Sequence, residues 1–183
     1  TFDTIGQDLV AMVADDAICT GAEVISLSNT LDIASIDQEM VDALLDGLSK
    51  ACLEQRIVMP GGEIAEVPGA VSSPVWNATS VGVVGKDAVI DTGNISDGDV
   101  IIALKSGVAR SNGFSLIRKI LSDAHGDNWH STEWKDGTSW GEVMLTPSII
   151  YHGALLKLIG RHGEKRKINV KGIAHVTGGG IAE

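Results

Sequence analysis

The sequence predicts an α+β protein of two α/β domains, and three observations predict it. Stretches with apolar residues at helical spacing alternate with short apolar runs of strand length. The turn formers of Asp91-Thr92-Gly93-Asn94-Ile95-Ser96-Asp97-Gly98 divide the chain near its middle, giving expected domains at 1–92 and 93–183. Segments rich in glycine and acid recur, at Asp15-Asp16 with Gly21-Ala22-Glu23, at Gly61-Gly62-Glu63, at Arg110-Ser111-Asn112-Gly113 and at His175-Val176-Thr177-Gly178-Gly179-Gly180. Glycine lets a backbone approach a ligand closely, and a carboxylate beside it can hold Mg²⁺ against a phosphate.

Residues 4–20 carry Ile5, Leu9, Met12 and Val13 at helical spacing and stop at Gly21. Asp8 and Asp15, seven apart, fall on nearly one face of that helix. A short strand is expected at 24–28. A second amphipathic helix spans 37–55 and turns Met40, Val41, Leu44, Leu45, Leu48 and Cys52 inward. Ile57-Val58-Met59 reads as a brief strand ending in a Pro60-Gly61-Gly62 loop, followed by strands at 78–84 and 88–90. In the second half, 99–104 reads as a buried strand. Ser111 caps a helix carrying Leu116, Ile117, Ile120 and Leu121. Residues 125–142, with Trp129, Trp134 and Trp140, have no clear period and read as a long loop or short pieces. Thr146-Pro147 is the N-cap and first position of a helix to about Ile159. The basic stretch 161–167 reads as a solvated turn, and 168–176 as a closing strand.

A chain of 183 residues can bury a good core. Its net charge of −10 argues against a nucleic-acid surface, which needs clustered Lys and Arg. A small phosphorylated ligand remains open, because Mg²⁺ and helix N-termini can meet its charge. No apolar run approaches the roughly 20 residues that cross a bilayer, so no membrane partner is expected. Cys19 and Cys52 lie on apolar helix faces and read as free thiols of a cytoplasmic protein. The chain begins without Met and closes just after a triple glycine, and is expected to be a piece of a longer protein.

Each candidate site has a plain alternative. Asp15 and Asp16 could be a solvated helix face; their position toward the helix C-terminus, where the dipole favours cations, suggests a metal or ligand instead. Glu63 and Glu66 could flank a turn or offer oxygens to one Mg²⁺. Arg110 at a helix start could clamp a phosphate bidentately or be a surface arginine bonded to nearby acid. His175 could be a strand-end histidine, while the glycines after it favour close ligand approach. These residues by themselves support a two-domain α+β protein binding Mg²⁺ and a phosphate compound.

In their joint order, DTIGQDLVAM, DDAICTGAE, GGEIAEVPG, SDGDVIIAL, SNGFSLIRKIL, LTPSIIY and AHVTGGG resemble aminoimidazole ribonucleotide synthetase, the phosphoribosylformylglycinamidine cyclo-ligase family. The first of these elements are shared with thiamine-monophosphate kinase, selenophosphate synthetase and a hydrogenase maturation protein. The resemblance implies a mixed-sheet N-terminal domain that pairs into a dimeric β-barrel, part of a C-terminal α/β domain, and ATP with Mg²⁺. It implies an ATP-dependent ligase of purine synthesis that acts on a small phosphorylated substrate as a homodimer. Carried onto this chain, Asp15, Asp16, Gly61, Gly62 and Glu63 face the nucleotide, with Asp16 and Glu63 on the metal. Ser111, Asn112, Gly113, Thr177, Gly178, Gly179 and Gly180 contact substrate or phosphate, and Arg110 and His175 are the candidate catalytic residues.

The sequence departs from the family where Asp15-Asp16 replaces the usual Asn-Asp and where Arg110 replaces the histidine that commonly precedes Ser-Asn-Gly. Arginine does not surrender its proton near neutral pH, so acid–base chemistry at Arg110 is in question. Val24–Asp37 matches poorly and leaves the substrate open. The family's upstream glycine-rich ATP loop lies outside this sequence, and the chain by itself is not expected to turn over. The alternatives are another ATP enzyme of the superfamily, or a paralogue that binds a nucleotide without catalysis.

Overall fold

The computed structural model describes residues 2–107, 109–178 and 180–181. Helix α1 (Ile5–Ile18) leads into strand β1 (Glu23–Ile33), helix α2 (Gln38–Gln55), and strands β2 (Val58–Glu66) and β3 (Val75–Val83). The sheet order is β2-β1-β3, with β1 parallel to β2 and antiparallel to β3. It is a mixed sheet, as expected.

Helices α1 and α2 cover one face of the sheet. Leu9, Val10 and Ala14 of α1 and Leu48, Ala51 and Cys52 of α2 enclose Val24 and Leu27 of β1. Leu31 and Ile33, farther along β1, pack on Val41 and Leu44 of α2. The Asp37 side chain caps α2 by accepting from Met40 N at 3.2 Å. Arg56 closes that helix in a left-handed conformation, φ 61°.

Strand β1 is eleven residues long, twice the expected length. Leu27, Asn29, Leu31 and Ile33 alternate inward, but Val24 is out of phase with them. A bulge between Val24 and Ser26 accounts for this: it inserts one residue, lets Val24 and Leu27 share the core face, and leaves Ile25 outside. Strand β2 also runs on. Pro60, Gly61 and Gly62 form no loop but continue the strand to Glu66, with Asn29 opposite Gly62 and Thr30 opposite Glu63. Pro60 is tolerated because β2 is an edge strand of this sheet.

The second half holds α3 (Phe114–His125), a hairpin of β4 (Glu133–Lys135) and β5 (Thr138–Ser139), α4 (Trp140–Met144) and α5 (His152–Ile159). The tryptophan segment thus resolves into short pieces, and a capping box between Ser139 and Glu142 starts α4. Ile18 of α1, Ile90, and Leu156 and Ile159 of α5 form a separate core cluster that ties α5 to α1.

Several expected elements differ. Residues 86–88 are a 3₁₀ turn where a strand at 88–90 was expected. Residues 99–104 and 168–176 are not strands; Ile101 is 95% exposed. β-Branched residues favour an extended backbone, but a strand exists only where another pairs with it, and none does among the described residues. Helix α3 starts from Gly113 rather than Ser111, because Gly113 adopts φ 84° and its carbonyl accepts the first helical bonds. Helix α5 starts at His152, six residues after Thr146.

Candidate active site

Adjacent residues on a helix point about 100° apart, and Asp15 and Asp16 diverge accordingly. Asp15 is 3% exposed. Its Oδ1 accepts from Tyr151 N and His152 N, both at 2.9 Å, and its Oδ2 accepts from Arg110 Nη2 at 2.7 Å. Asp15 is therefore the cap of α5, supplied from another helix; this is why α5 does not start at Thr146-Pro147. Farther up the same face, Asp8 Oδ1 accepts from Ser148 N at 3.0 Å, and Gln7 Nε2 donates to the Ser148 carbonyl at 2.7 Å. The acid face of α1 grips the backbone of 148–152. Burial raises the Asp15 carboxyl above its ordinary range, opposed by the bonds from His152 and Arg110.

Asp16 points outward, its side chain 70% exposed, and its Oδ1 lies 2.7 Å from His175 Nδ1. His175 itself is largely covered, with a side chain 12% exposed. The fold thus joins two residues 159 positions apart that the sequence had singled out separately.

Of the two readings open for Arg110, the structure shows the bond to a nearby acid, with the side chain turned inward rather than lying on the surface. Nη2 reaches Asp15, Nη1 donates to the Ile149 carbonyl, and Cζ sits 5.2 Å from the centre of the Tyr151 ring. The side chain is 16% exposed. Ser111 is half-buried; Asn112, Gly113, Thr177, Gly178 and Gly180 are exposed, and Gly179 lies outside the described residues.

The two glycines of β2 serve different ends. A Cβ on Gly62 would lie 2.7 Å from both Asn29 Nδ2 and the Asn29 carbonyl, so close strand approach already explains that glycine. A Cβ on Gly61 would meet nothing within 4 Å. Glu63 is exposed beside it. No hydrogen bond or ion pair joins Glu63 to Asp16 among the described residues, and none of them form a cluster of three or more His, Cys, Asp or Glu fit for a metal.

Residues 1–84 match the AIR synthase related protein N-terminal domain, and residues 96–183 match the C-terminal domain. The chain belongs to the AIR synthase related protein family. It is 36% identical over 184 residues to a phosphoribosylformylglycinamidine cyclo-ligase of Clostridium botulinum strain Okra, covering 100% of this chain and 52% of the relative. The corresponding protein of Fusobacterium nucleatum is 35% identical over the same span. The chain spans about half the length of the curated relatives it matches. Among solved structures, hydrogenase maturation protein HypE in complex with ATP aligns at a TM-score of 0.47 and 23% identity, over 51% of this chain and 29% of that one. The expected α+β fold with N- and C-terminal domains of the AIR synthase type is correct.

Within this AIR synthase related chain, Asp15 and Arg110 are each other's partner. Both oxygens of Asp15 are taken inside the protein.

Sequence reasoning missed His152. This ring is fully buried, and its Nε2 accepts from Val24 N at 2.9 Å, which puts the neutral ring's proton on Nδ1, a buried atom with no hydrogen-bond partner among the described residues. A histidine inside an apolar run was the available signal. Burial pulls its pKa from 6.5 down to about 4. Below pH 6.5 the unfolded chain binds a proton that the folded ring refuses, so stability falls between pH 6.5 and about 4, by up to about 1.4 kcal/mol per pH unit. The raised Asp15 carboxyl acts in the opposite sense at the acid end of that window. The difference between wild type and His152→Gln in urea unfolding across pH 7 to 4.5 isolates the histidine; parallel curves would remove it.

Proposed function

We propose that the complete protein is an ATP-dependent cyclo-ligase of purine biosynthesis, closing formylglycinamidine ribonucleotide to aminoimidazole ribonucleotide with release of ADP and phosphate. The observation that carries this reading is the 36% identity along the whole chain to proteins of that name. The γ-phosphoryl group passes to the formyl amide oxygen as its bond to ADP breaks. The amidine nitrogen then attacks that carbon, the C–O bond breaks, phosphate leaves with the electron pair, and the nitrogen loses a proton. Holding the nucleophile on the activated carbon is the main task of the protein.

The donor set fits Mg²⁺, which takes one or two carboxylates and fills its other positions with water and phosphate oxygens. Asp16 and Glu63, both exposed, would hold it, and the ion would neutralise charge on the ATP phosphates. Gly61 leaves open space beside Glu63 for the nucleotide. The turn Ser111–Gly113 ends at the N-terminus of α3, whose free N–H groups suit a substrate phosphate, and the exposed Thr177 and Gly178 would add further backbone donors. With Nδ1 of His175 held by Asp16, Nε2 is the nitrogen left to take the proton lost on ring closure. Residues 1–92 and 93–183 are taken as portions of two domains.

The complete protein, given ATP and formylglycinamidine ribonucleotide, is expected to release ADP only when both are present and to form the imidazole product. ATP consumption without ring product would favour another reaction of the superfamily.

A homodimer belongs to the same reading. Ile25, Val58, Ile64, Val75 and Val81, all on strands of the sheet, are 37–64% exposed, an apolar surface suited to a second sheet. Sedimentation of the complete protein at micromolar concentration is expected to give the dimer mass, and Val81→Asp a monomer; a monomeric wild type would count against it. The reading also makes the protein cytoplasmic, in keeping with free Cys19 and Cys52. No helix among the described residues is long and apolar enough to cross a membrane.

A further inference from the structure

We infer that Asp15 and Arg110 form a positioning pair, which fixes the Ser111–Gly113 turn and the start of α5 against the end of α1 that carries Asp16. A single carboxylate gathers three separated stretches of chain. It receives the N–H groups of Tyr151 and His152, and through Arg110 it holds the residue directly before the turn. Arg110 adds a bond to the Ile149 carbonyl and lies over the Tyr151 ring, whose hydroxyl donates to the Lys105 carbonyl at 3.0 Å. Arg110 and the backbone at Lys105, five residues before it, are thereby anchored to 149–151.

The pair is nearly dry, with side chains 16% and 4% exposed. A buried charge that loses its partner is strongly destabilising, whereas replacing both partners together can be neutral. Either charge alone would stand uncompensated in this junction; together they neutralise each other. The members of the pair act through the turn rather than on the substrate.

The catalytic part of this inference rests on the proposed ring closure; the structural part does not. The test is a cycle on the complete protein comprising Asp15→Asn, Arg110→His and the double variant, with Arg110→Lys as the conservative form. Readouts are hydrogen exchange of the peptide spanning Arg110–Phe114, the thermal midpoint, and KM and kcat for ring closure. Each single variant is expected to speed exchange in that peptide, lower the midpoint, and raise KM for the phosphorylated substrate by on the order of tenfold to a hundredfold, more than it lowers kcat. The double variant is expected to recover exchange, midpoint and KM to within about threefold of wild type, and Arg110→Lys to fall between. Unchanged exchange in the singles, or a double variant whose effects merely sum, overturns the pair. A wild type without ring closure defeats the proposed function alone, because exchange and midpoint still read the coupling.

Discussion

Glu63→Gln in the complete protein is expected to lower ATP-dependent ring closure by about a hundredfold or more and to leave the fold as stable as before. Glu63 stands on β2 opposite Thr30, exposed, with open space at Gly61 two residues earlier. Glutamine keeps the shape and one carbonyl oxygen but loses the charge that Mg²⁺ seeks. An exposed carboxylate at the rim of a sheet contributes within about 0.5 kcal/mol to stability, so turnover and unfolding should part company. Steady-state rates across an Mg²⁺ titration, beside urea unfolding of both proteins, provide the measurement. Near-normal turnover at low Mg²⁺ would remove Glu63 from the metal site.

Gly47→Ala should have the largest effect on stability, opposite in sign to the helix scale. In an exposed helix, alanine in place of glycine stabilises by about 1 kcal/mol. Gly47 is buried inside α2, where a Cβ would stand 1.9 Å from the Asp3 carbonyl oxygen and 2.8 Å from its carbon. Gly6 answers from α1: its Cβ would lie 2.1 Å from Leu48 N. Backbone cannot rotate away from such contacts as a side chain could, so the helices must separate and reopen the core of Leu9, Val10 and Leu48. The expected loss is about 3 kcal/mol or more, read as a lower urea midpoint at unchanged slope. Gly61→Ala, with nothing in reach, is the control. A more stable Gly47→Ala protein would show that α1 and α2 are not packed backbone to backbone.

Periodicity carried the N-terminal half. Helices α1 and α2 are local patterns, and Asp37 and Gly21 mark their limits within a residue or two of the observed ends. Motif order carried the family. Strand lengths were less legible, because Pro60 and the glycines of β2 obey a neighbouring strand: Gly62 is small for Asn29, which is remote in sequence. The bulge in β1 likewise exists only against β3.

By itself, the sequence determined which segments are amphipathic, where acid and glycine gather, and which family the chain joins, since all three are properties of residue order. Only the tertiary structure decided what the acids do. Asp15 and Asp16 are neighbours of the same type, yet a rotation of about 100° per residue buries one as the cap of α5 and partner of Arg110, and presents the other to His175. No local pattern distinguishes them, because the partners that separate their roles arrive from 95 and 159 residues away.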